Sequence, residues 1–440
     1  MAFRSPQNCL RYEYVSVDLQ NPIKLPANNT NQVKTNYRFT HDNTHSSSPM
    51  DWYNAFFEID LKITEMDNTG YDAGDNAAII NGGFGIINQI TVNFDGIKVL
   101  NLQNCNHAMN IKNLTDFSTP YKNDMGPDMF HYPDTAVGAV SQKYTTLQLT
   151  GNAQQIAPTD QNTYNKGFAK RKTLLSASAT NNIILPLNRF GFFQSFRDQI
   201  SPNGKVTFDI DLESDANVIF RANAAGAGRY IITKFVLWVP KMELSPSGKS
   251  LFVEKYLKPH TWTYLKESIE TAPFTQQSAK FRITPSIRKP RHVFIWVLNT
   301  AKMNDQEQNF FVFNTYNIAN ARTITSAQLH LSNGVFYPET IMNLTTEIAK
   351  VHRQLTDYTD ALNDHLTGPS INLKSFKDLY GILYFDLTYQ NTPLKEGDTK
   401  LELKFQLNDT PNAEYNLYAL ILNEQEISVD MKSGKAVLRT

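Results

Sequence analysis

Cysteine is nearly absent from this chain, with Cys9 and Cys105 the only two in 440 residues. Two thiols cannot form a disulfide framework, so the fold must rest on its core, and the chain reads as made in a reducing compartment. Net charge is missing too: 42 Lys and Arg balance 42 Asp and Glu. That excludes a protein whose affinity comes mainly from neutralising phosphates, although a local basic face stays open. No run reaches the roughly 18 apolar residues of a membrane span. The opening Met1-Ala-Phe-Arg-Ser-Pro6 lacks the apolar centre of a secretory signal, so a soluble chain without membrane insertion is expected. Sequons at Asn28, Asn113, Asn343 and Asn408 are then chance matches to a short motif.

Catalytic patterns are equally scarce. There is no Walker A sequence and no Gly-x-Ser-x-Gly elbow, and Gly82-Gly83-Phe84-Gly85 precedes a strand, which rules out a dinucleotide or phosphate loop. His41 and His45 have helical metal-pair spacing but lie among turn formers with no third ligand. Glu58 with Asp60, and Asp209 with Asp211, share strand faces as a glycosidase pair could, yet every alternating strand here carries polar residues on its wet face. Cys105 near His107 reads as packing at the start of an apolar helix. The cluster Lys166-Gly-Phe-Ala-Lys-Arg-Lys172 offers Lys166, Lys170, Arg171 and Lys172 as an import or nucleic-acid patch, against the favoured reading of a solvated loop face. The expectation is a non-enzyme with no catalytic residues, no cofactor and no metal.

What is abundant is strand material. Phe (27) and Tyr (20) accompany many Val and Ile, residues that suit a pleated, half-buried surface. The length alone suggests two to three domains at roughly 100–200 residues each. Two stretches read as hairpins, Gln89-Ile-Thr-Val-Asn-Phe-Asp-Gly-Ile-Lys-Val-Leu100 and Gln328-Leu-His-Leu-Ser-Asn-Gly-Val-Phe-Tyr337. Their Asp95-Gly96 and Asn333-Gly334 dipeptides favour type I′ turns, which need positive φ at both central residues. In the first, Phe94 and Ile97 pair across the turn, and Ile90, Val92, Phe94, Ile97 and Val99 share one face.

The order of elements then repeats. An apolar strand precedes each hairpin, Phe57 to Ile63 and Val293 to Leu298, and a helical stretch follows each. Residues Thr345 to Leu366 place Ile348, Val351, Leu355, Tyr358 and Leu362 on one helical face. Lys205 to Leu212 alternates as Lys400 to Leu407 does, and the apolar run Tyr230 to Val239 matches Tyr415 to Leu422. Such unbroken runs read as strands covered on both faces. Further strands are expected at Tyr12 to Leu19, from Asn182, and at Phe310 to Phe313. The first copy is longer between its hairpin and its alternating strand, and the Asn/Gln/Thr/Gly/Pro-rich stretch 125–180 reads as an inserted surface loop. Ser245-Pro-Ser-Gly-Lys-Ser250 reads as the boundary between copies. The division is an N-terminal arm with the first strand (1–50), a first unit (51–245) and a second unit (251–440). Each unit offers seven or eight strands without βαβ alternation, so the fold class is all-β: two tandem eight-stranded jelly rolls with short helices in connecting loops.

On these features the chain resembles the double jelly-roll major capsid proteins of eukaryotic double-stranded DNA viruses, most closely the Polinton/Maverick and adintovirus group. The resemblance is carried by the hairpin near position 95 and by Tyr316-Asn-Ile-Ala-Asn320 followed by the Asn333-Gly334 hairpin. The endings Leu383-Tyr-Phe-Asp-Leu387, Lys400-Leu-Glu-Leu-Lys-Phe405 and Leu417-Tyr-Ala-Leu-Ile-Leu422 complete it. It implies a homotrimeric capsomer whose six jelly rolls form a pseudo-hexagonal tile of an icosahedral shell around a double-stranded DNA genome, with modest outward projections. Implied partners are neighbouring capsomers, penton and minor capsid proteins, and non-specific contact with packaged DNA. The implied location is the virion, after synthesis in host cytoplasm, with assembly in nucleus or cytoplasm left open. The arm is expected to lie on the inner side and tie neighbours together. Rival readings are a carbohydrate-binding double sandwich (a lectin-like attachment protein), an enzyme on a jelly-roll scaffold, and a minor capsid or penton protein.

Overall fold

The computed structural model describes residues 5, 7–20, 36–72, 74–142, 144–150, 153–158, 164–256, 259–313, 324–362, 368–389, 398–411, 414–430 and 435–439. The first unit opens with β1 (Cys9–Val17), β2 (Asn36–Asp42), β3 (Phe56–Glu65), β4 (Ala77–Ile79), β5 (Ile87–Phe94) and β6 (Ile97–Leu102). Helices α1 (Cys105–Asp116) and α2 (Thr119–Met125) follow, then β7 (Tyr144–Thr150), β8 (Ala153–Pro158), α3 (Lys166–Leu175), β9 (Asn181–Pro186), α4 (Gly191–Gln194) and β10 (Lys205–Leu212). It closes with α5 (Asp215–Val218), β11 (Ile219–Arg221) and β12 (Gly228–Leu244). Helix α6 (Pro246–Tyr256) leads to β13 (His260–Phe274), β14 (Ser278–Arg288), β15 (Pro290–Asn299), β16 (Ile324–Leu331) and β17 (Phe336–Asn343). Then come α7 (Ile348–Leu362), α8 (Leu373–Asp378), β18 (Leu383–Asp386), β19 (Asp398–Leu407), β20 (Tyr415–Asp430) and β21 (Lys435–Arg439).

Two sandwiches with one strand order result. In the first, one sheet runs β1-β12-β3-β9 and faces another running β2-β10-β5-β6; in the second the orders are β13-β20-β15-β18 and β14-β19-β16-β17. Numbering the eight sandwich strands of each unit in chain order, both read 1-8-3-6 over 2-7-4-5, the jelly-roll arrangement. The extras sit outside this plan: β4 pairs β11, β7 pairs β8, and β21 extends the edge of β20. Helices α1 and α7 occupy the same place, after the fifth strand of their units.

Alternation explains the cores. In β3 the odd residues Phe57, Ile59, Leu61 and Ile63 are buried while Phe56, Glu58, Asp60 and Lys62 are partly exposed. Phe57 meets Phe39 across the sandwich at 5.4 Å between ring centres and Phe208 edge-on at 5.5 Å. The second core has the same aromatic habit, with Phe405 against Phe274 at 5.1 Å and Phe281 at 5.0 Å.

Several expectations need correction. The stretch 1–50 is not a separate arm where it is described: β1 pairs β12 along Cys9–Val17 and β2 pairs β10, so both are sandwich strands. The stretch 125–180 is not a structureless surface loop, since it carries the β7–β8 hairpin and α3, which is capped by Asn165 accepting from Phe168 N at 3.0 Å. Phe310 to Phe313 are buried but form no strand beyond a single bridge from Phe313 to Tyr380. At the first hairpin Asp95 and Gly96 both have positive φ, as a type I′ turn requires, whereas the second turn is a 3₁₀ turn over Ser332–Gly334 with only Gly334 at positive φ. A register shift past Val92 makes Leu100 its partner and buries Val99 and Leu100 together, so strict alternation fails in β6. Finally, β12 is not covered on both faces, because Lys234, Val236 and Trp238 are only half-buried. Tyr316–Asn320 and Asn28 lie outside the described residues.

Candidate functional site

The most constrained region of the molecule is the seam where the first sandwich meets the second. It is built on α1, in which every residue from Cys105 to Thr115 is buried. A helix buried all round needs cover on all sides, and here the first unit supplies one side and the outer face of sheet β13-β20-β15-β18 the other. The centre of that outer face is apolar: Phe294, Trp296, Leu298, Tyr418, Leu420 and Tyr384 are all buried.

The charged side chains inside the seam meet partners, although among the described residues Glu267 Oε2 and Arg189 Nε are buried without one. Lys112 of α1, its side chain 5% exposed, lies 2.6 Å from Glu267 of β13, 1% exposed, and also donates to Arg189 O at 2.5 Å. The same Glu267 oxygen accepts from Gly191 N at 2.8 Å. Gly191 has no alternative, since a Cβ there would fall 1.7 Å from Leu265 O. Arg189 bonds Asp116 at 2.9 Å, and Asp116 accepts from Tyr358 OH on α7 at 3.0 Å. Burial raises the Tyr358 phenol well above its ordinary pKa, keeping it a donor. Beside it, Thr359 Oγ1 donates to Thr115 O at 2.6 Å.

A second knot centres on Asp134, which lies 2.7 Å from Arg171 and accepts from Asn309 at 2.9 Å, while its backbone oxygen accepts from Tyr380 OH at 2.8 Å. A third is made by Gln306, which donates to Gly228 O at 2.7 Å and accepts from Gly228 N at 3.0 Å. Burying charges is costly unless they are paired and hydrogen-bonded, and these are. The two sandwiches are thereby locked in one relative position.

The candidate residues from the sequence take structural roles. His107 stacks on Tyr418 at 4.9 Å and lies near Phe310 and Phe311; burial pushes its pKa down to about 3, so it is neutral. Cys105 is fully buried and its thiol pushed up by desolvation. Glu58 sits 2.7 Å from Lys234, which holds it below the usual carboxylate range, and accepts from Trp238 Nε1 at 2.6 Å. Asp60 accepts from Asn182 at 2.6 Å, Asp209 pairs Arg38 at 2.6 Å, and Asp211 accepts from Asn36 at 3.1 Å. His41 lies edge-on to Trp52. Among the described residues no three His, Cys, Asp or Glu side chains come together as a metal-ligand group, and no helix is long and apolar enough to cross a membrane.

The basic cluster divides, contrary to its reading as a continuous patch or a solvated face. Arg171 is fully buried, bonding Ile79 O at 2.8 Å, Tyr132 O and Asp134. Lys172 is buried too and donates to Asn76 Oδ1 at 2.8 Å. Only Lys166 and Lys170 stay exposed, lining an open groove of about 1230 Å³ with Lys374 of α8. Helical periodicity separates them: positions 166 and 170 share a face, and 171 and 172 turn inward. The seam residues themselves escaped the sequence reading, because nothing local marks Lys112, Glu267 or Asp134 as partners across such separations.

No protein-family model matches the chain, and no characterised protein matches it in sequence. Solved structures do. A chain of the Sputnik virophage, determined by cryo-EM, covers 98% of this chain and 89% of its own length at TM-score 0.61 and 11% identity. The Faustovirus major capsid protein covers 94% and 90% at TM-score 0.58 and 9% identity. A chain of the PBCV-1 virus capsid covers 98% and 96% at TM-score 0.57 and 11% identity. With the duplicated strand order, these likenesses establish the fold as a double jelly roll.

Proposed function

We propose that this chain is the major capsid protein of an icosahedral double-stranded DNA virus, or of an integrated relative in the Polinton/Maverick and adintovirus group. Three copies form a capsomer of six sandwiches. The observation that carries the reading is the duplication itself: two sandwiches of one strand order, joined at a seam of buried ion pairs, in a fold that spans nearly the whole length of capsid chains. Duplication gives each copy two similar walls, and rotational closure of such copies yields nearly equivalent sides that tile. Zero net charge lets tiles approach without strong mutual repulsion. The residues that chemistry would have needed, such as Glu58, Asp60 and His107, are engaged in pairing and packing. Virion location, contacts with penton and minor capsid proteins, and a contact of Lys166 and Lys170 with packaged DNA all follow from this reading. Light scattering on purified protein, with electron microscopy, tests it. Three copies of 50.0 kDa give about 150 kDa, or shells form; a persistent monomer that binds glycans favours a lectin-like protein and refutes the proposal.

A further inference from the structure

Beside the seam, three amides and an imidazole surround one small space. Asn81, Asn110, Asn113 and His131, each at most 5% exposed, line a cavity of about 10 Å³ together with Gly82 and Phe311. Among the described residues, Asn81 Oδ1, Asn110 Nδ2, Asn113 Oδ1 and both ring nitrogens of His131 are buried without a hydrogen-bond partner. Buried polar groups are normally satisfied, so a group of such atoms around one cavity points to an occupant.

The local chain explains how they meet. Helix α1 supplies Asn110 and Asn113 three residues apart, on neighbouring positions of one face. His131 is fixed by its backbone N donating to Gly126 O at 2.8 Å, and its ring meets Phe117 edge-on at 5.6 Å. The Gly82-Gly83-Phe84-Gly85 turn, which holds no phosphate, brings its backbone close: a Cβ on Gly82 would lie 3.5 Å from His131 Cα and 3.7 Å from its Nδ1. Phe311 adds a wall from the second unit.

Size and chemistry name the occupant. The volume suits a single water and nothing larger. Asn81 Nδ2 donates to Asn110 Oδ1, and whichever way those two amides are turned as a pair, one oxygen and one NH₂ are left over. The spare oxygen and Asn113 Oδ1 are two acceptors. The spare NH₂ and the one N–H of a neutral imidazole are two donors. A water, which donates twice and accepts twice, matches that set. A metal cation does not, because no carboxylate among the described residues lines the cavity, and Lys122, Arg189 and Arg171 all act on His131 against added positive charge. From this we infer that the cavity is a binding site for one internal water, which bridges α1, the glycine turn and His131 beside the seam.

The test uses the full chain. A crystal or cryo-EM structure that shows ordered waters should place one isolated peak in the cavity, at hydrogen-bond distance from Asn113 Oδ1 and a ring nitrogen of His131. Gly82→Ser puts a hydroxyl toward the water's position and Gly82→Ala puts a methyl there, and the extended backbone at Gly82 (φ 165°) admits both. Both variants restrict the unfolded chain alike, so the gap between them reports the hydroxyl. The alanine variant should melt about 2–6 °C below the serine variant, the shift for two buried polar groups left without partners in a chain of this length. A cavity without a peak, a peak held only by oxygens at the roughly 2.3–2.6 Å of a bound cation, or an alanine variant that melts with or above the serine variant overturns the inference. Should neither variant fold, the wild-type density decides alone. Neither readout depends on assembly, so the capsid reading is tested separately.

Discussion

Replacing Lys112 by Met removes the cation from a buried ion pair of the seam. Its partner Glu267 is 1% exposed and would keep only the Gly191 N–H, 2.8 Å from the same oxygen. Breaking a buried pair by deleting one member costs about 3–5 kcal/mol, because the surviving charge is left without compensation. Unfolding entropy scales at roughly 2.1 cal/mol/K per residue, so a chain of this length melting as one unit has about 0.9 kcal/mol/K. The expected fall in Tm is then about 3–5 °C. If each sandwich melted alone the same loss would move Tm by about twice as much, so the size of the shift also reports whether the seam couples the two halves. Urea denaturation, followed by tryptophan fluorescence and circular dichroism, supplies the free energy. Lys112→Met with Glu267→Met should be no worse than the single variant, since the pair is then replaced by apolar bulk; Arg189 O and Gly191 N would each be left short of a partner, at about 1–3 kcal/mol apiece. A single variant costing less than about 1 kcal/mol, or two single costs that simply add, refutes the idea that this pair holds the seam.

Three further outcomes follow. His107 and His131 are fully buried, and desolvation lowers both to about 3. The unfolded chain therefore binds more protons between pH 3 and an ordinary histidine pKa near 6.5, so stability is complete above that value and falls on acidification. The loss by pH 5 is about 2 kcal/mol per histidine, and His107→Gln should flatten its share in melts run across that range. Arg171→Met should cost about 3 kcal/mol or more while Lys166→Ala and Lys170→Ala stay within about 0.5 kcal/mol, as read by thermal melts; equal effects would contradict the division of the cluster. Gly191→Ala should prevent correct docking of the sandwiches, seen as insoluble or separately melting protein, because no Cβ fits 1.7 Å from Leu265 O.

Period-two alternation made β3, β10 and β19 legible, since it depends only on each residue's own strand. The Asp95-Gly96 turn was legible for a similar reason, its backbone requirement being met by two adjacent residues. The second hairpin misled because a 3₁₀ turn over Ser332–Gly334 satisfies the same strands with only one residue at positive φ. Strand β1 was legible, but its membership of the first sandwich was not: Tyr14 faces Pro240 across more than half the chain. The basic cluster was visible as composition, yet which lysines reach solvent depended on α3 docking with Arg171 inward against Asp134.

Local pattern alone thus determined that this is a duplicated, strand-rich chain with large cores, because hydrophobic periodicity and turn chemistry are properties of neighbouring residues. Tertiary structure decided the seam: the pairing of Lys112 with Glu267 and the burial of Arg171 against Asp134. Those depend on contacts between residues far apart in the chain, where the free energy lies in desolvation and fit, and no stretch of sequence carries that information by itself.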